Sequence, residues 1–197
     1  KGGLAVYHVF TIAEERLNLF ARMANSACGL SLWCFGMKKQ LYTCTCPAEK
    51  EFRLFLDLGQ CLDYAIAHGP ESHAPILMSE PIGMLWVAEC VLHGDDAGYL
   101  VILGPVFDAA ASWQTLQNCL RGMNLSVSLT ATIMDKLEQV PILPLSTLHQ
   151  YIKMLHWVLY EETLDVGSIR LQNRSNIIPD KEESPYPWDP DLSLIHI

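Results

Sequence analysis

Residues 75–107, PILMSEPIGMLWVAECVLHGDDAGYLVILGPVF, constrain the fold more than any other part of this chain. They read as a short strand, a Pro-Ile-Gly corner and a long hairpin with arms at 84–93 and 98–104. The connection Gly94-Asp95-Asp96-Ala97 is rich in residues that tolerate turn dihedrals. In the second arm, Tyr99-Leu-Val-Ile-Leu103 is apolar at every position, and the first arm carries one charge, Glu89. Alternate side chains of a strand point to opposite faces, so apolarity at every position means that both faces are covered. Such a hairpin belongs in the middle of a sheet, with the rest of the chain packed against it.

The flanking segments supply that cover. Residues 1–10 are apolar and read as a strand. A helix is expected from Thr11, where Thr11-Ile-Ala-Glu14 has capping-box spacing, with Leu17, Phe20, Ala21 and Ala24 on one face. Residues 30–35 and 41–46 form a second hairpin, with Tyr42, Cys44 and Cys46 on one face and Leu41, Thr43 and Thr45 on the other. Residues 49–68 form the strongest helix. Phe52, Phe55, Gly59, Leu62 and Ile66 make one stripe and Leu54, Leu58, Cys61 and Ala65 a second, wider together than a surface helix needs. Helices follow at 109–121, at 126 or 128 to 139 with Leu129, Ile133 and Leu137 inward, and at 146–162. The last has Leu145, Leu148, Ile152, Leu155 and Leu159 stepping by three, four, three and four, the seam of packed helices.

Four or five antiparallel strands with a helix inserted between the second and third predict an α+β fold. The order resembles the PAS/GAF sensor folds: an antiparallel sheet, an inserted helix at about 49–68 and C-terminal helices. The resemblance implies a small cavity between sheet and inserted helix. Residues 1–166 are read as one domain. Residues 167–191, with Pro179, Pro185, Pro187 and Pro190 among charges, are read as a linker.

Half of the residues are hydrophobic and the net charge is −9. An acidic chain without a basic cluster is poorly suited to a phosphate backbone or an anionic membrane. Seven cysteines, an odd number set in apolar periodic segments, read as reduced thiols, and the expected location is cytoplasmic.

No phosphate-binding glycine loop, nucleophile elbow or His-Glu-x-x-His helix occurs. No catalytic residue, metal site or cofactor is therefore assigned. Cys44 and Cys46 share a strand face, which suits a metal site or a redox sensor, but zinc takes four ligands, and the pair reads as inert buried thiols. Asp95 and Asp96 beside His93 read as a turn. His149 and His156, two turns apart, read as a solvated or partner-facing side. Glu89 lacks a partner at a spacing that general-base work would require, and reads as a salt-bridged or edge carboxylate. Trp33, Tyr42, Cys44, Trp86, Cys90 and Tyr99 lie on central strands, where they line a ligand pocket or fill the core.

Leu56-Asp-Leu-Gly-Gln-Cys-Leu-Asp-Tyr64, Ser79-Glu-Pro-Ile-Gly83, Leu103-Gly-Pro-Val-Phe107 and Val140-Pro-Ile-Leu-Pro-Leu145 resemble the N-terminal sensory region of AraC-type transcriptional regulators from Firmicutes. The resemblance spans roughly residues 11–165. It implies a non-enzymatic sensory domain that answers a small-molecule effector and forms a homodimer. The 148/152/155/159 seam would dock on its own domain or pair with a second copy, the resemblance leaning toward a dimerisation helix, and DNA would be bound only through a C-terminal helix-turn-helix domain absent from this chain. A sensor module of a signalling kinase, or a small enzyme using Glu89 or a cysteine in the same cavity, are the rival readings. Residues 192–197, LSLIHI, are also the translation of a transposon-end adapter used in preparing sequencing libraries. The expectation is an adapter-derived tail on a chain cut before its DNA-binding domain.

Overall fold

The computed structural model describes residues 3–80, 82–93, 97–109, 113–123 and 125–172, with backbone alone for 3–13, 93, 97, 113 and 115. The Gly94-Asp95-Asp96 turn, most of the 167–191 linker and the 192–197 tail lie outside the described residues.

The chain folds as an α+β domain of three layers. Its strands are β1 (Leu32–Gly36), β2 (Leu41–Cys44), β3 (Ile76–Ser79), β4 (Leu85–His93), β5 (Ala97–Val106) and β6 (Arg170–Leu171), in the order β2-β1-β5-β4-β3-β6. The β4/β5 hairpin sits at the centre, as its two-sided apolarity requires. Trp86, Ala88, Cys90, Leu100 and Ile102 point into one core, and Val87, Val91, Tyr99, Val101 and Leu103 into another.

Helices α2 (Glu49–Leu58), α3 (Cys61–His68), α4 (Trp113–Gly122) and α5 (Val127–Leu137) contribute to the first core. The second is closed by α1 (Gly3–Cys28) and α6 (Leu145–Tyr160), which lie against each other. Ser126 caps α5 by accepting the Leu129 amide at 3.3 Å.

Five expectations are corrected. The N-terminal segment is helix, not strand, and α1 runs through Thr11 without a cap there. Phe10, Ala13, Leu17, Phe20 and Ala24 keep steps of three and four across that point, and the continuing period outweighs the cap signal. The 49–68 helix is broken at Gly59-Gln60, where Gln60 takes a left-handed conformation. The break lets Phe55 and Leu56 on one segment, and Cys61, Leu62 and Ala65 on the other, all bury in the same core, while Leu58 of the second expected stripe is left about half exposed. The last helix, expected from residue 146, begins at Leu145 behind Pro144. The sheet has six strands rather than four or five. The sixth lies inside the expected linker and pairs parallel to β3 through Arg170 N–H to Pro75 O and Gln172 N–H to Leu77 O, both 2.9 Å.

The Leu-Gly-Pro-Val-Phe run has a specific structural task. Gly104 has φ +133°, and a Cβ there would stand 2.9 Å from the Leu85 carbonyl oxygen. The β4/β5 register shifts at this point, and Gly104 O accepts the Trp33 indole N–H at 2.8 Å.

Candidate functional site

The six expected pocket residues do not converge. Trp33 and Trp86 are fully buried on the side of α2 and α3, with rings edge to face at 5.9 Å. Cys90 lies on the same face, and Cys44 is half-buried at its margin. Tyr99 points into the opposite core, behind α1 and α6. Tyr42 is 60% exposed. The reason is a bulge: Cys34 pairs with Thr43 and Phe35 with Leu41, so Tyr42 is the extra residue in β2. Leu41 and Cys44 thereby share the core-facing side, and the strict alternation expected for this strand is lost.

Trp86 donates its indole N–H to Glu80 Oε1 at 2.5 Å, at a fully enclosed position beside the α2–α3 break. Gln172 reaches the same break, donating to Gly59 O at 3.4 Å and accepting from the Cys61 thiol at 3.8 Å. The chain after β6 is thus stitched to the insert.

Glu89 has a partner that spacing could not reveal. His156, 67 residues away on α6, places Nδ1 2.9 Å from Glu89 Oε2. Both side chains are buried, and Glu89 Oε1 has no hydrogen-bond partner among the described residues. Burial pushes the Glu89 carboxyl up, and the hydrogen bond and charge of His156 pull it partly back. Tyr160 lies over His156 at 4.8 Å, donates its hydroxyl to Cys90 O at 2.7 Å, and stacks on exposed His73 at 4.7 Å. The reading of His156 as solvated or partner-facing is therefore corrected. A sequence signal existed: His156 lies four residues after Ile152 and next to Leu155, inside the apolar seam, where a polar group needs a buried partner.

The seam itself docks on its own sheet. Leu148, Ile152 and Leu155 are fully buried and Leu159 is partly buried, all in the core shared with Val87, Val101 and Leu103. Of the two expected fates, docking on its own domain and pairing with a second copy, the seam takes the first, and a second copy cannot reach its three buried members. The outward side of the same helix is the open one. Leu19 and Met23 of α1 and Met154 and Trp157 of α6 are about half exposed. With Arg16, Phe20, Gln150, Lys153 and Val158 they line a groove of about 460 Å³. Arg16 pairs with Glu161 at one end of the groove.

Cys44 and Cys46 stand where the second hairpin turns into α2. Thr45 is clamped by backbone and hydroxyl bonds to Leu32 at 2.8 to 2.9 Å. Cys46 donates its amide to Cys44 Sγ at 3.2 Å.

Among the described residues, no group of three or more His, Cys, Asp or Glu side chains is arranged to hold a metal ion, and no helix is long and apolar enough to cross a membrane. Asp95 and Asp96 and the His93 side chain lie outside the described residues. Comparison with family models, with curated proteins and with solved structures found no match.

Proposed function

We propose that this chain is the sensory and dimerisation part of a bacterial transcriptional regulator of the AraC type, with DNA bound by a helix-turn-helix domain outside this chain. The reading begins from the sequence resemblance. The structural observation that carries it is the division of labour between the two faces of the sheet. One face is covered by a broken helix inserted between the second and third strands, a suitable cover for an effector. The other carries the first and last helices, with an apolar groove open to solvent between them.

A second copy is the occupant that suits this groove. At 1.5 Å per residue the 16 residues of α6 span about 24 Å, and two helices side by side give roughly 500 Å² per copy. A symmetric pair then buries roughly 1,000 Å², the lower limit for a specific interface. The charged members of the lining are Arg16, which is paired with Glu161 of its own chain, and Lys153, so the middle of the groove is left apolar for a partner.

Sedimentation equilibrium tests the proposal. The expected result is a reversible dimer that Met154→Asp and Leu19→Asp dissociate with little change in melting temperature. A panel of small metabolites should contain one that raises the melting temperature by mass action. A monomer at every concentration, together with no shift from any metabolite, would overturn the reading.

A further inference from the structure

The two cysteines at the exit of β2 form a chemical unit. Thr45 is held on both sides by Leu32, so the backbone between the two thiols is fixed. Cys44 folds its sulfur back over residue 46, 3.2 Å from that residue's amide nitrogen and 4.0 Å from its carbonyl oxygen. Residues two apart in a chain have Cα atoms no more than about 7 Å apart, close to the upper end of the range a disulfide spans, and the Cys44 sulfur already lies against the Cys46 backbone. Pro47 and Ala48 lead directly from Cys46 into the N-terminus of α2, a position that favours negative charge. Ser31, buried at the start of the same β1/β2 hairpin, hydrogen-bonds to Cys46.

We propose that Cys44 and Cys46 are a hydroperoxide-sensitive dithiol that closes to an intramolecular disulfide, with Cys46 as the attacking thiolate and Cys44 as the resolving thiol. The electrostatics agree with this division. The Cys44 thiol, the Ala48 amide and the Ser31 hydroxyl bring Cys46 down to about 7 against the opposing effect of burial. Cys44, which donates to it, is pushed up. Cys46 is as buried as Cys34 and Cys90; burial pushes Cys34 up to about 11 and raises Cys90, whereas at Cys46 the donors outweigh it.

The chemistry balances with the peroxide as oxidant. The Cys46 thiolate attacks one peroxide oxygen and the O–O bond breaks. Cys46 becomes a sulfenic acid, and the departing oxygen takes a proton and leaves as water or an alcohol. The Cys44 sulfur then attacks the Cys46 sulfur. The S–S bond forms, the S–O bond breaks, and hydroxide leaves with the Cys44 proton as water. Two thiols lose two electrons and two protons, and the peroxide is reduced.

The test uses the whole chain and hydrogen peroxide. Intact mass should fall by two hydrogen atoms, peptide mapping should place the link between Cys44 and Cys46, and dithiothreitol should reverse it. In Cys44→Ser, dimedone should trap a sulfenic acid at Cys46. At neutral pH iodoacetamide should label Cys46 several-fold faster than the half-buried reference thiols Cys28 and Cys119. The proposal is overturned if Cys28 or Cys119 reacts first, if Cys46→Ser loses the same two hydrogens as the parent, or if Cys46 proceeds to sulfinic acid with no link formed. Cys44→Ser alters a half-buried side chain, so it keeps the test available should Cys46→Ser fail to fold.

Discussion

Replacing His156 with Leu should reveal the cost of burying Glu89. The change removes the donor 2.9 Å from Glu89 Oε2, while Oε1 already has no hydrogen-bond partner among the described residues. Breaking one side of a buried pair costs about 3–5 kcal/mol, because a desolvated charge is left uncompensated. Here the loss should depend on pH. Burial raises the folded-state carboxyl above its ordinary value of 4.5, so the folded chain holds that proton more tightly than the unfolded chain does. The stability this contributes is complete below the unfolded value and is lost as pH rises through the folded one. His156 opposes the shift, so His156→Leu should move the folded value further up, at about 1.4 kcal/mol for each unit. The deficit relative to the parent should then be small in acid and grow toward neutral pH. Glu89→Gln should flatten the profile, and the double change Glu89→Leu with His156→Leu should recover most of the parent stability. Urea unfolding at several pH values, followed by far-ultraviolet dichroism and the fluorescence of buried Trp33 and Trp86, measures all four proteins. A His156→Leu deficit below about 1 kcal/mol and equal at every pH would refute the argument.

Ile152→Asp should unfold the domain, since it puts a charge in a fully buried site, whereas Met154→Asp two residues on should leave thermal melting nearly unchanged; the contrast is read by dichroism. Gly104→Ala should cost about 1–3 kcal/mol in urea unfolding, because its φ of +133° is strained for any side chain and the added methyl meets Leu85 O. Ser126→Ala should cost about 1 kcal/mol, with faster amide exchange in the first turn of α5. Leu155→Ala should cost about 2–5 kcal/mol by the same urea assay, the range for opening a cavity in a packed core.

What was legible in the sequence followed from periodicity. The β4/β5 hairpin was visible because Tyr99 to Leu103 has no polar position, and that can be satisfied only between two layers. The face of α1 was visible from Leu17, Phe20, Ala21 and Ala24, all buried. What was not legible depends on pairing between distant strands or on a single residue's backbone. Nothing within 41–46 announces that Tyr42 is the bulged residue, because the bulge is a property of β2 against β1. The Gly59-Gln60 break was masked by apolar residues that continue helical spacing through it. β6 is two residues long and owes its place to β3, so its own composition could not reveal it. For the site, the six expected pocket residues do lie on strands, but Tyr42 and Cys44 are on the edge strand β2 rather than a central one, and sidedness separated Tyr42 and Tyr99 from the rest. The Glu89–His156 contact spans 67 residues and was beyond any local pattern.

The sheet order also decides where self-association of damaged molecules would begin. The two longest and most apolar strands are interior, and the rims are poor templates for adding another strand. β2 is four residues with a bulge, and β6 is two. Of the two rims, β6 is the weaker guard. If it peels away, Ile76–Ser79 becomes an unpaired edge whose members Ile76 and Met78 are fully buried in the intact domain. Arg170→Pro, which deletes the amide donating to Pro75 O, should therefore hasten fibril or precipitate formation on gentle heating more than it lowers the melting temperature. Light scattering against dichroism separates the two effects, and a melting shift without faster precipitation would place the vulnerable edge elsewhere.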